Sequence, residues 1–171
     1  ILFVVDDSFS MADERDRLAQ NIVARPGCDI ANNPDDKNCG FMEQLVAAAS
    51  SQNLDEGEEY FRIGLITTSL GQAGSATPFG CLFAGDRPDV PYISSDHGPD
   101  AVGLMRDRIN AITDRIAPGG GGAPGDDMEQ GLEAMKLLLE GESDVASCRV
   151  HAQNFLRTDA KLVVVFVTDE D

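Results

Sequence analysis

Residues 161–168 read Lys-Leu-Val-Val-Val-Phe-Val-Thr, a run that is β-branched or aromatic almost throughout. A run without polar alternation offers no face to water, so it belongs in a sheet covered on both sides. Ile1 to Val5 (ILFVV) has the same character, and Phe61 to Thr67 (FRIGLIT) supplies a third strand. Helical patterns lie between these runs. Met11 to Ala24 sets Met11, Leu18, Ile22 and Val23 among charges, and Phe41 to Ser50 is a second helical stretch. Ala101 to Ile116 places Val102, Met105, Ile109, Ile112 and Ile116 at 3,4-type spacing. Asp127 to Leu139 does the same with Met128, Leu132, Met135 and Leu139. Strands alternating with helices predict an α/β fold, with a largely parallel central sheet flanked by helices on both faces. The Gly-, Pro-, Ser- and Asp-rich stretch Gly71 to Pro99 is expected to be a long excursion with a short edge strand near Val90 to Ile93. Pro118 to Gly125 (PGGGGAPG) is too rich in glycine for regular structure. It reads either as a flexible linker or as a loop that approaches a ligand or metal.

Charge narrows the function. Lys plus Arg number 13 and Asp plus Glu 30, for a formal net charge of −17. Nucleic acids reward clustered Lys and Arg, and an anionic membrane surface does the same, so neither partner is expected. The 42% hydrophobic content supplies a core, which excludes a disordered acidic chain. No apolar run approaches the roughly 20 residues of a transmembrane helix. Both ends lie against strand-like runs, so residues 1–171 are expected to form one domain cut from a longer protein, whose leader would lie upstream. The four cysteines, Cys28, Cys39, Cys81 and Cys148, form no CxxC, and neither His97 nor His151 stands at zinc-ligand spacing from them. An even count points to an oxidising compartment. Cys28 and Cys39 bracket a polar stretch with little apolar content of its own, and pairing them leaves Cys81 for Cys148. Four unpaired thiols is the alternative.

In an open parallel sheet, ligands bind at the carboxyl ends of the strands. The first strand exits into Asp6-Asp7-Ser8-Phe9-Ser10, and the strongest later strand into Thr168-Asp169-Glu170-Asp171. Carboxylates and hydroxyls from two strand ends suit a hard divalent cation, Mg²⁺, Mn²⁺ or Ca²⁺, which takes oxygen ligands. Ser8 and Ser10 are two apart, so in an extended turn both point to the side of Asp6.

The sequence Asp6-x-Ser8-x-Ser10-Met11, directly after a buried strand, resembles the DxSxS signature of von Willebrand factor A domains. Those domains have a Rossmann-like sheet and a metal-ion-dependent adhesion site. Two further elements follow in the family's order. One is a Gly-rich loop, Gly119 to Gly122, leading to Gly125-Asp126-Asp127-Met128-Glu129-Gln130-Gly131-Leu132. The other is an Asp at the end of a strand, Val167-Thr168-Asp169, with Glu170 where the family usually has Gly. The resemblance covers residues 1 to 171, and its style is similar to bacterial lipoprotein-type members. It implies metal ligands Asp6, Ser8, Ser10 and Asp169. The family's Thr position falls on Asp126, a further candidate ligand that adds charge to the site. The resemblance also implies a binding module and no enzyme, with the metal's open position accepting an acidic group of a protein or glycan partner. The setting it implies is exported: periplasmic, cell-surface or extracellular, with any lipid anchor on a segment outside this chain. Because the family fold continues past the last Asp, the C-terminal part of the sheet is expected to be missing here.

Other readings of these residues are weaker. Asp6 as the nucleophile of a metal-dependent phosphohydrolase would need a second Asp two positions on, where Ser8 stands. A serine hydrolase would need a nucleophile elbow, and no GxSxG occurs. Ser8 or Ser10 as a plain helix cap explains neither Asp169 nor the glycine loop. Asp35 and Asp36 with nearby asparagines suggest a calcium loop but lack EF-hand spacing. Asp55 to Glu59 reads as an acidic surface turn, His97 as a loop residue, and Arg62, Arg149 and Arg157 as partners for excess acids.

Overall fold

The computed structural model describes residues 1–7, 11–22, 28–30, 32–33, 36–52, 58–68, 80–116 and 130–168, with the backbone alone at 12–16 and 113–116. Among these residues four strands, β1 (Leu2–Val5), β2 (Arg62–Thr67), β3 (Ile93–Ser94) and β4 (Val164–Val167), form one sheet in the order β3-β2-β1-β4. β1 runs parallel to both neighbours, with Leu2 opposite Gly64 and Val164, and Val5 opposite Thr67 and Val167. β3 is antiparallel to β2 and pairs only Arg62 and Ile63. Farther along β2, the Phe83 N–H donates to the Leu65 carbonyl at 2.6 Å, so the loop before β3 covers the rest of that edge.

The runs of β1 and β2 behave as strands covered on both sides, whereas the 161–168 run, expected to do the same, forms a β4 with no fully buried residue. Phe3, Val5, Ile63 and Leu65 pack with α1 (Ala12–Ile22), α2 (Phe41–Ser50) and α3 (Asp100–Ile116), through Ile22, Met42, Met105, Ile109 and Ile112. Leu2, Val4 and Ile66 pack on the other face with α4 (Gly131–Glu140) and α5 (Ala146–Phe155), through Ala134, Leu138, Ala152 and Phe155. Alternate residues of β1 thus serve different layers, as the period of two requires. At Gly64 a side chain has no room, because a Cβ there would lie 2.6 Å from Leu82 Cδ2 and 3.1 Å from Phe155 Cε2. β4 is the outermost strand on its side among the described residues, and Val163 and Phe166 remain 52% and 45% exposed.

The expected strands and helices sit within a few residues of their places. The edge strand is Ile93–Ser94 instead of Val90 to Ile93, and α4 is described from Gly131, the expected positions 127–129 lying outside the described residues. α5 was not expected. Its buried face is Cys148, Ala152 and Phe155, a short stripe at i, i+4 and i+7 that is masked in sequence by the small Ala152 and by Val150, which is apolar yet exposed.

Both cysteine pairs are formed, Cys28–Cys39 and Cys81–Cys148. They fit an oxidising, exported environment. The first closes a loop that hydrogen bonds also knit. Asp36 accepts the N–H groups of Asp29 and Asn38, each at 2.9 Å, and these bonds hold its carboxyl below the usual range. Of the two carboxylates that suggest a calcium loop, Asp36 is thus engaged by the loop itself, while Asp35 lies outside the described residues. Arg62 pairs with Glu59 and Arg157 with Asp159, whereas Arg149 donates to the Ser143 carbonyl. Among the described residues no helix is long and apolar enough to cross a membrane.

Candidate metal centre

β1 ends in the middle of the sheet, and the ladder continues one residue past it. The Asp6 N–H donates to the Val167 carbonyl at 2.9 Å, and the Thr68 N–H donates to the Val5 carbonyl at 3.1 Å. These bonds pin Asp6 between the ends of β2 and β4. Its side chain is fully buried, which a carboxylate tolerates only with polar company. The company comes from both neighbouring strands. The Thr68 hydroxyl donates to Asp6 Oδ1 and the Thr168 hydroxyl to Asp6 Oδ2, each at 3.4 Å.

Asp7 joins the same group. Its Oδ1 lies 3.2 Å from Thr68 Oγ1, and its N–H donates to that oxygen at 3.4 Å. A hydroxyl has one proton, so Thr68 donates to Asp6 or to Asp7 at any moment while accepting from the Asp7 backbone. The start of α4 closes the rim beside it. The Gln130 N–H donates to the Thr68 carbonyl at 3.4 Å. A Cβ on Gly131 would lie 3.2 Å from both Thr68 Cγ2 and Val4 Cγ1. The start of α4, five residues beyond the end of the glycine-rich segment at Gly125, is thereby held against the carboxyl end of β2.

Of the expected ligands, Asp6 is at the rim. Ser8, Ser10, Asp126 and Asp169 lie outside the described residues. Among the described residues no cluster of three His, Cys, Asp or Glu side chains is set to hold a metal. The donors present at Asp6 are all oxygens, two carboxylates and two hydroxyls, and that chemistry fits a hard cation and not a soft one. Thr68 had no place in the sequence-based ligand set. The strand-end rule that selects Asp6 and Asp169 also selects Thr68, the residue after the β2 run. We expect Thr68→Val to lower the thermal midpoint by roughly 2–4 °C, the equivalent of about 1 kcal/mol for one lost hydrogen bond, with Thr68→Ser close to wild type. An unchanged midpoint in Thr68→Val would mean that the hydroxyl supports neither carboxylate.

Compared with known protein families, curated proteins and solved structures, the chain matches none.

Proposed function

We propose that this chain is a von Willebrand factor A-like module. It holds one divalent cation, Mg²⁺, Mn²⁺ or Ca²⁺, at the carboxyl rim of its sheet and uses it to bind an acidic group of a protein or glycan partner. The observation that carries the reading is Asp6, fully buried at the end of the central strand between hydroxyls from the strands on either side. Connectivity supports the rest of the set. Asp169 is the residue after Thr168, Ser8 and Ser10 follow Asp6 by two and four positions, and Asp126 precedes the rim-bound Gln130 by four. The cation would be held by Asp6, Ser8, Ser10 and Asp169, and when bound it would supply an open, electron-poor position for a partner's carboxylate. The module acts by binding and not by catalysis, outside the cytoplasm, whether periplasmic, on the cell surface or extracellular.

Charge sets the strength of that recognition. Among the proposed ligands Asp6 and Asp169 balance a dication, and Asp7, on the same Thr68 hydroxyl, already adds a negative charge beside them. Asp126 as a third ligand carboxylate makes the site more negative still, which favours the cation and repels an acidic ligand. The test is metal affinity together with retention on an immobilised poly-glutamate peptide, in Mg²⁺ and in chelator. We expect Asp126→Thr to hold Mg²⁺ roughly tenfold less tightly and to bind the peptide more tightly. If neither changes, Asp126 is no ligand, and the site reduces to Asp6, Ser8, Ser10 and Asp169. Peptide binding that survives chelation would refute the metal-bridged reading altogether.

A further inference from the structure

Asp7 has no task in the proposed ligand set, yet it shares the Thr68 hydroxyl with Asp6. That hydroxyl stands 3.4 Å from Asp6 Oδ1 and 3.2 Å from Asp7 Oδ1. Its oxygen is held firmly. Thr68 is 6% exposed, its N–H donates to the Val5 carbonyl, and its own carbonyl accepts from Gln130. Its Cγ2 lies so near Gly131 that a Cβ there would stand 3.2 Å away. A β-branched side chain enclosed in this way keeps one χ1, and the hydroxyl hydrogen is the part left free to turn.

The bonding capacity of that oxygen can be counted. A hydroxyl has one hydrogen to donate and two lone pairs. The Asp7 N–H takes one lone pair at 3.4 Å. The hydrogen goes to Asp6 or to Asp7. Directed at Asp6, it occupies the Oδ1 that a cation would use. Directed at Asp7, it leaves that oxygen to the cation. A positive ion beside Asp6 favours the second arrangement, because the positive end of the O–H dipole then points away from it. The hydroxyl on the other side of Asp6 has no such constraint. Thr168 is exposed, so water can replace its 3.4 Å bond to Oδ2.

We propose that Thr68 is a positioning residue of the cation centre, and that its hydroxyl turns from Asp6 to Asp7 when a cation occupies Asp6. The O–H bond stays intact and the hydrogen bond changes partner. Asp7 is then the acceptor that clears Asp6, a task that needs its oxygen and not its charge. The inference rests on the cation site proposed above and adds to it a pair of residues outside the ligand set.

The test is binding of Mn²⁺ alone, followed by the electron paramagnetic resonance signal of the free ion. Asp7→Asn and Asp7→Ala remove the same charge, but asparagine keeps a side-chain oxygen that can accept from Thr68. We expect Asp7→Ala to hold Mn²⁺ roughly tenfold less tightly than Asp7→Asn, the scale of a lost partner behind a metal ligand. In a Thr68→Val background, which keeps Cγ2 and lacks the hydroxyl, the two Asp7 variants should bind alike. Thr68→Val alone should weaken Mn²⁺ by roughly tenfold, with Thr68→Ser close to wild type. Equal binding by Asp7→Asn and Asp7→Ala overturns the proposal, and that comparison stands even if Thr68→Val does not fold. A difference that persists in Thr68→Val overturns it too, because Asp7 would then act without the hydroxyl. Failure of the cation site itself looks different: the wild type binds no Mn²⁺, or binding survives Asp6→Asn, and the inference falls with it.

Discussion

Alanine at both Cys81 and Cys148 should lower the thermal midpoint of the oxidised protein by roughly 8–16 °C. The bridge spans 67 residues and ties the segment on the outer edge of β2 to α5. Closing a loop of that length in the unfolded chain is worth about 4 kcal/mol in the chain-entropy description. For a domain of this size each kcal/mol moves the midpoint by roughly 2–4 °C. The Cys28–Cys39 bridge spans 11 residues, for about 3 kcal/mol by the same rule. Scanning calorimetry of the two double variants tests both the size and the order. A smaller loss for the long bridge than for the short one would mean that the entropy of the unfolded chain does not govern their contributions.

The second large effect concerns Asp6. Saturating Mg²⁺ or Mn²⁺ should raise the midpoint of the wild-type protein, because an ion bound only by the folded state shifts the equilibrium by mass action. At a hundred times Kd the gain is about 2.7 kcal/mol, or roughly 5–11 °C. In Asp6→Ala and Asp6→Asn the metal-dependent part should vanish. Each variant is compared with itself, with and without metal, so the cost of altering a buried carboxylate cancels. A metal shift that survives both substitutions would place the cation elsewhere on the protein.

The layers of this fold can be read from the chain because each reflects a local pattern. ILFVV and KLVVVFVT have no polar side to spare, and Met105, Ile109 and Ile112 recur at helical spacing, so the sheet and its main helix announce themselves. What escapes is what only pairing creates. Thr68 is an ordinary hydroxyl until the register of β1 and β2 brings it beside Asp6, 62 residues away in sequence. α5 escapes because its stripe is short, one member is the small Ala152 and another is Cys148, engaged in its bridge, while the apolar Val150 faces outward. Arg108, 2% exposed on α3, was legible in principle. It falls among the core positions Met105, Ile109 and Ile112, where a charge breaks the pattern, but a charged residue in a helix is easily assigned to the solvent side. The centre is half legible in the same sense: strand ends can be found from sequence, whereas the mutual placement of their side chains cannot.

The register of the central strand has a consequence for the time course of assembly. β1 is made first, yet one of its two neighbours is β4, whose Val164 lies opposite Leu2. Bringing such distant segments together demands closure of nearly the whole chain, the kind of contact that slows folding. During synthesis at about 5–20 residues per second, β1 waits on the order of ten seconds before its second partner has even been made. Until then one edge of its most apolar run stays open to whatever strand is near. An edge left unpaired for that long is a template on which two unfinished chains can pair, until β4 closes it.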